Sequence, residues 1–433
     1  MLKVHALGGY NEVGRNMTCI EVDDEAVILD MGLYMDRFIA VQERGGEMNR
    51  KVLGAEDAIP DDAPINAIRK KVKAILVSHA HLDHIGALKW MASRYRCPIV
   101  ATPYTAEVIK KHVKDTERIV SVNVNSSYTV SKKMAAEFIN VTHSIPQCAT
   151  INLKTPYGNI VYALDYKNDN HPTLGQKTNI SRLKKIDNVL LLIADSTNAE
   201  EERKTFSEHI AKEMLKDIIM GMETEGHGMF LTTFSSHLAR LKGMLQISKM
   251  LGRKAVFIGR SFYEYISAAE NLGMVQFSKD AELIKNAGKA DKKLKNLQKH
   301  RDEYMFVVTG GMGEQKAVLT RIVNDEFPLV IEPQDFVIFS CEVIPTPVIQ
   351  ANRKILEQKL HRKQARLFKD VHVSGHASRE DLRDLIKILS PHHILPAHGD
   401  LTKTAAMASL GGEMGYELGK TVHILQNGQK IRL

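Results

Sequence analysis

The chain has 433 residues, 25% of them charged and 44% hydrophobic, and its 59 Lys and Arg against 51 Asp and Glu leave a net charge of +8. That length suffices for two large domains or three of ordinary size, and the composition excludes wholesale disorder and any need for disulfide staples. The mild basic excess permits a polyanionic partner without demanding one, while the longest uninterrupted apolar run, residues 189–194, is six residues against the about 20 that a membrane-spanning helix needs.

The N-terminus carries no cleavable apolar stretch, so a cytoplasmic protein is expected. Residues 3–7, 17–22 and 26–30 read as three short strands, and their connections are too short for crossover helices, which predicts an antiparallel meander. Residues 33–70, rich in Asp, Glu and Arg, read as a long surface loop. A strand at 73–77 then runs straight into Ser-His-Ala-His-Leu-Asp-His, with a helix expected from Ile85 to about Tyr95. Further strands are expected at 137–142, 150–153 and 160–164, and in the apolar run that ends at Asp195. From about 205 to 360, helical patterns alternate with short apolar strands at 229–233, 255–258, 304–308 and 336–339, which predicts a parallel α/β sheet. From Val371 on, the pattern is strand, helix, strand, helix and two closing strands. The four cysteines, Cys19, Cys97, Cys148 and Cys341, lack the spacing of a zinc knuckle or redox dithiol and read as small buried apolar residues.

The sharpest chemical signal is His79-x-His81-x-Asp83-His84. With 18 histidines in 433 residues, chance produces this pattern in about two such chains per thousand. Alternate residues leaving a strand end point the same way, so His79 and His81 can converge on one ion, while Asp83 and His84 can face a second. Imidazole and carboxylate suit zinc or manganese. More ligands are on offer after strands: His143, Asp165 and His398.

These residues resemble the metallo-β-lactamase superfamily. The resemblance implies an αββα sandwich and a dinuclear site at the sheet edge, with one divalent ion on His79, His81 and His143 and the other on Asp83, His84 and His398. Asp165 would bridge the two, and Asp30 would orient the ligand loop from behind. Asp165 and His398 stand 233 residues apart (398 − 165), so an α/β block near 205–365 is inserted between them, as in the β-CASP nucleic-acid hydrolases. The expected domains are residues 1–200 and 366–433 for the metallo-β-lactamase part and 201–365 for the β-CASP insertion. Segments 7–17 (Leu-Gly-Gly-Tyr-Asn-Glu-Val-Gly-Arg-Asn-Met), 232–236, 259–261, 308–314 and 374–382 are similar to the ribonuclease J family, and the loop at 33–70 to its archaeal branch. Bacterial members carry a further C-terminal domain, and their usual Ser-Asn-x-His-Arg is here Ser236-His237-Leu238-Ala239-Arg240.

The resemblance implies a metal-dependent ribonuclease that degrades RNA from 5′ to 3′ in RNA decay and maturation. Catalysis would rest on Asp83, His376 and Asp195, with His376 the general acid and Asp195 its orienting partner. A 5′-monophosphate pocket would be built by Ser235, Ser236, Arg260 and His372, with Ser374, Gly375, His376, Ala377 and Ser378. Ser378 opens a helix to Leu389 whose first amides offer an anion site. The expected partners are RNA with a single-stranded 5′ end and a second copy in a homodimer, with no membrane. Residues 353–369, with seven Lys or Arg against one acid, read as an RNA-facing stretch; residues 279–301, with eight against three, read equally well as a solvated helix face. Alternatives are an endonuclease like the polyadenylation-specificity-factor nuclease, a small-molecule metallohydrolase such as a lactamase or glyoxalase, and an inactive RNA-binding scaffold.

Overall fold

The computed structural model describes residues 1–344 and 346–433. The chain divides into two compact units: residues 1–170, 175–205 and 375–433 form the first, and residues 171–174 and 206–374 the second.

In the first unit, strands Leu2–Gly8, Met17–Val22 and Glu25–Leu29 form the expected antiparallel meander. Strands Val72–Val77, Ile99–Ala101 and Ile119–Ser121 extend it in parallel, and Lys430–Arg432 closes the other edge, giving seven strands. A second sheet of six runs in the order His393–Ala397, Val189–Asp195, Gly158–Ala163, Ala149–Thr155, Ala135–Asn140 and Ser126–Thr129. Strand alternation sorts the side chains. Val4, Ile20, Val27, Leu76, Phe138, Ile160, Tyr162 and Ile193 from both sheets share one buried core, whereas Val161, Ala163, Leu192 and Ala194 turn to the other face and meet Leu382, Leu385 and Met407 of helices Arg379–Leu389 and Leu401–Glu413. The sheets are therefore the inner layers and helices an outer one, the sandwich that the resemblance implied.

The segment 33–70 is not a loop. It holds helices Met35–Glu43 and Arg50–Ala55 and a 3₁₀ helix Ala63–Lys71, with Ile39, Val41, Leu53 and Ile65 buried. Each of these helices buries only one or two residues, and Asn49, read as a loop residue, instead caps a helix by accepting from the amide of Val52. After the His-rich loop, the helix is short and broken, with turns at Leu82–Ile85 and Leu88–Met91. No strand forms near Val371, and only one of the two expected closing strands forms, Lys430–Arg432. All four cysteines are buried and free.

The second unit is a six-stranded sheet, parallel throughout, in the order Ala281–Ile284, Lys254–Ile258, Tyr304–Val308, Met229–Thr232, Phe336–Phe339 and Arg366–Phe368. The sequence pattern foretold four of these strands; the two edges are too short and polar to register. No described helix is long and apolar enough to cross a membrane.

Candidate metal centre

The site forms where strand ends of the first unit turn. Asp30, Asp165 and His398, each the first or second residue past a strand, have φ of 58°, 38° and 56°. Such left-handed turns re-aim a side chain within one residue. Gly32 permits the same crowding: a Cβ there would lie 1.5 Å from the carbonyl oxygen of Asp83.

Two groups of ligand atoms result, His79–His81–His143–Asp165 and Asp83–His84–Asp165–His398, with Asp165 common to both. In the first, His81 Nδ1 lies 3.0 Å from His79 Nε2 and 3.1 Å from His143 Nε2, and Asp165 Oδ2 lies 3.5 and 3.4 Å from those two nitrogens. Ligands about 2.05 Å from a tetrahedral zinc stand roughly 3.3 Å apart, which these spacings match. In the second, Asp165 Oδ1 lies 3.1 Å from His84 Nε2 and 3.4 Å from His398 Nε2, and Asp83 Oδ2 lies 3.6 and 3.7 Å from the same atoms.

The outward ring nitrogens are held from behind. His84 Nδ1 lies 2.7 Å from Asp30 Oδ2, His143 Nδ1 2.8 Å from the Gly375 carbonyl, His79 Nδ1 3.0 Å from Ser78 Oγ and His398 Nδ1 3.0 Å from Asn16 Oδ1. With the proton on Nδ1, the Nε2 lone pairs of His79 and His143 face inward. His398 Nδ1 instead accepts from the Gly14 amide at 3.2 Å. Burial opposes charge at His84, yet Asp165, Asp83 and Asp30 outweigh it and raise His84 well above the usual imidazole range. Asp30 also accepts from the Ser78 amide and hydroxyl, both at 2.7 Å, so it braces the loop as expected. Asn16, which touches His398 and the carbonyl of Asp83, was not singled out from sequence. It sits in the 7–17 block, but asparagine is common in turns and no spacing rule ties it to histidines elsewhere.

The donor set fits divalent cations. Asp165 Oδ1 is buried and has no hydrogen-bond partner among the described residues, because His84 and His398 approach without aligning on it. A buried carboxylate oxygen with imidazole nitrogens at 3.1 and 3.4 Å calls for positive charge between them, a proton or a metal ion. Burial, with the neighbouring imidazoles, lowers the pKa of His79 and, further, of His81, and burial likewise pushes His143 well down; all three favour the neutral form that binds metal. Burial opposes charge at Asp165, yet His84, His398, His376 and His79 outweigh it and hold the carboxylate well below its usual range.

Beside this cluster, His376 Nε2 lies 3.8 Å from Asp165 Oδ2, and its Nδ1 lies 2.8 Å from Asp195 Oδ2. Asp195 is fixed in turn by the amide and hydroxyl of Thr197, at 2.8 and 2.7 Å. Burial disfavours the imidazolium, but Asp195, Asp165 and Asp83 outweigh it and raise His376 to about 9.

The phosphate pocket comes out differently. Ala377 and Ser378 are fully buried. The amides of Ala377, Ser378, Arg379 and Glu380 are taken by Tyr166 O, Thr205 Oγ1, Glu201 O and Arg203 O, so the helix N-terminus has no free amide for an anion there. The segment 201–205 lies across it, a contact that no local pattern announces. Gly375 spends its carbonyl on His143. Ser235, Ser236, Arg260, His372 and Ser374 belong to the second unit. There Ser235 Oγ lies 2.8 Å from Ser261 Oγ, Ser236 is nearly buried, and Arg260 is exposed. His372 lies 3.7 Å from Glu342.

The stretch 353–369 is less available to RNA than its charge count implied. Arg353 is buried over the Phe339 ring and bonds Gly311 O and Glu357, while Lys359, Lys363, Arg366 and Lys369 bond Asn324, Asp325, Gln334 and Glu357. These cations tie their own unit together. In 279–301, helix Asp291–Lys299 buries Leu294 and Leu297 and leaves Lys292, Lys295 and Lys299 in solvent.

Profiles of three known domains match the chain: the metallo-β-lactamase superfamily at residues 10–147, the ribonuclease J β-CASP domain at 226–358, and the Zn-dependent metallo-hydrolase RNA specificity domain at 361–425. Ribonuclease J of Methanocaldococcus jannaschii is 40% identical over 99% of this chain and 98% of its own length, and that of Pyrococcus abyssi 42% over 100% and 97%. Ribonuclease J 1 of Streptococcus pyogenes is 29% identical over 99% of this chain but 74% of its own length. A solved structure of a protein of unknown function from Enterococcus faecalis V583 shares the fold, with a TM-score of 0.65 at 17% identity over the whole of both chains. With relatives this similar from end to end, and with metallo-β-lactamase and β-CASP domains both present, the chain belongs to the ribonuclease J family.

Proposed function

We propose that this protein is a metal-dependent ribonuclease that hydrolyses RNA from the 5′ end and prefers a 5′-monophosphate. The observation that carries the reading is Asp165, a buried carboxylate shared by two ligand groups, with one oxygen that has no aligned hydrogen-bond donor among the described residues. His79, His81 and His143 would hold one divalent ion, and Asp83, His84 and His398 a second, with Asp165 between them; zinc suits this donor set and manganese is the runner-up. When bound, such ions supply a nucleophile from water near neutral pH and offset the charge of the phosphodiester.

The remaining steps fall to side chains. His376 donates its Nε2 proton to the leaving 3′-oxygen. Asp195 accepts from Nδ1–H, which fixes the tautomer and stabilises the imidazolium before transfer. The 5′ preference is supported by the likeness of Ser235, Ser236, Arg260, His372 and Ser374 to the family's phosphate pocket, with the buried helix amides at 377–380 left out of it. We place the β-CASP insertion at 206–374, and further propose a cytoplasmic homodimer acting in RNA decay and maturation.

Product-length analysis on one RNA labelled at either end tests this. Mononucleotides from the 5′ end, with rates falling from 5′-monophosphate to 5′-hydroxyl and triphosphate, are expected. Internal fragments as first products, with equal rates on all three ends, would favour the endonuclease reading.

A further inference from the structure

The second unit carries a group of side chains, outside the metal centre, at the carboxyl ends of two neighbouring parallel strands. Strand Lys254–Ile258 ends at Gly259, with φ of 147°, where a Cβ would lie 2.4 Å from Thr309 Cγ2. Only glycine lets helix Arg260–Asn271 start so close to the sheet. Arg260 and Tyr263, three residues apart, share a face of that helix. The adjacent strand Ala281–Ile284 delivers Lys285, whose Nζ lies 4.8 Å from the centroid of the Tyr263 ring.

Core packing does not explain this ring. Its neighbours Phe262 and Ile266 are fully buried, whereas Tyr263 is 38% exposed. Arg260 and Lys285 are exposed too, and among the described residues neither has a carboxylate partner. An aromatic ring capped on one face by an ammonium keeps its other face for a second π system, and two unpaired cations beside it attract a polyanion. The carboxyl edge of a parallel sheet is where such folds bind ligands.

We propose that Tyr263, Lys285 and Arg260 form a single-stranded RNA subsite, in which the Tyr263 ring stacks one nucleobase and the two cations pair its flanking phosphates. That RNA is the polyanion rests on the ribonuclease reading above. A stacked base with adjacent phosphates suits an aromatic–lysine–arginine trio; a lipid surface would call for a wider apolar patch.

The test uses the intact metal-loaded protein and a phosphorothioate oligouridylate that resists hydrolysis, with affinity read by fluorescence anisotropy. Tyr263→Ala should weaken binding roughly ten-fold, and Tyr263→Phe should bind like the wild type, since stacking needs the ring and not the hydroxyl. An abasic strand of equal length should not distinguish Tyr263→Ala from the wild type. Lys285→Ala should lower the slope of log affinity against log salt by about 0.7, one phosphate contact on a single strand. Unchanged affinity in Tyr263→Ala, or equal losses in the Ala and Phe variants, would overturn the subsite. Hydrolysis of ordinary RNA by the wild type is scored separately. A protein that cuts RNA while Tyr263→Ala binds normally keeps its activity and loses the subsite; one that does not cut loses the activity, and the binding series still decides the subsite.

Discussion

Each unit buries a dense cluster of charge, and these two clusters are built to opposite ends. In the second unit, Arg240 is 1% exposed and grips Glu208 through Nε and Nη2, while Nη1 bonds the carbonyl and hydroxyl of Ser340 at 2.9 Å. His237 closes on the same carboxylate at 3.3 Å. The charge is balanced and both carboxylate oxygens are engaged. In the first unit, Asp165 is as deeply buried, yet one oxygen has no aligned donor among the described residues, and four imidazoles crowd its two oxygens at 3.1 to 3.5 Å. Burying a polar group unpaired costs about 1–3 kcal/mol, and a charge more. One buried carboxylate is satisfied within the protein, and the other sits where two groups of ligand atoms meet. The contrast also assigns Arg240, the last residue of the Ser236–Arg240 segment, to the packing of its own unit.

Removing the shared carboxylate breaks the contrast most severely. Asp165→Ala should abolish both metal retention and RNA hydrolysis, and elemental analysis that finds undiminished metal in the variant would contradict the shared-ligand model. His376→Ala comes next. It should keep its metal and lose about 10²- to 10⁴-fold in cleavage, the usual contribution of a general acid; a better leaving group should restore part of that rate, whereas metal loss would make His376 structural.

Arg240→Met probes the satisfied centre. It strands the Glu208 carboxylate and should cost about 3–5 kcal/mol in stability, read by denaturant melts, with metal content unaltered. Adding Glu208→Gln should recover part of the loss. Asn16→Ala, acting through His398, should weaken metal affinity about 10- to 100-fold without changing the ligand count, measurable by chelator competition.

The smallest effect is a pH dependence. Burial works against the Glu208 carboxylate, but Arg240 and His237 outweigh it and hold its pKa well below the usual range. Its folded value therefore lies under the unfolded one of about 4.3, so the stabilisation is present above that pH and fades as pH falls through the folded value. Melting points of wild type and Glu208→Gln should converge in acid; a constant gap would show that Glu208 stays charged or never contributed.

Elements whose side chains alternate or recur on one face were legible in the chain alone: the meander, four parallel strands and the helix after Ser378. The residues that come together in the two ligand groups were legible too, because four of them sit within six residues at a strand end and the others follow strands. Segment 33–70 was not, since its helices bury only one or two residues each, too few to print a periodic stripe. Nor was the fate of the amides at 377–380. A helix N-terminus reads as an anion site from sequence, but whether its amides are free depends on what else lies across them, and here residues 201–205 do. The sequence by itself determined which residue types were available for metal chemistry and the register in which strands would present them. Tertiary structure alone decided which buried charges were satisfied, because hydrogen bonds between residues some 200 positions apart are set by packing and leave no trace in local pattern.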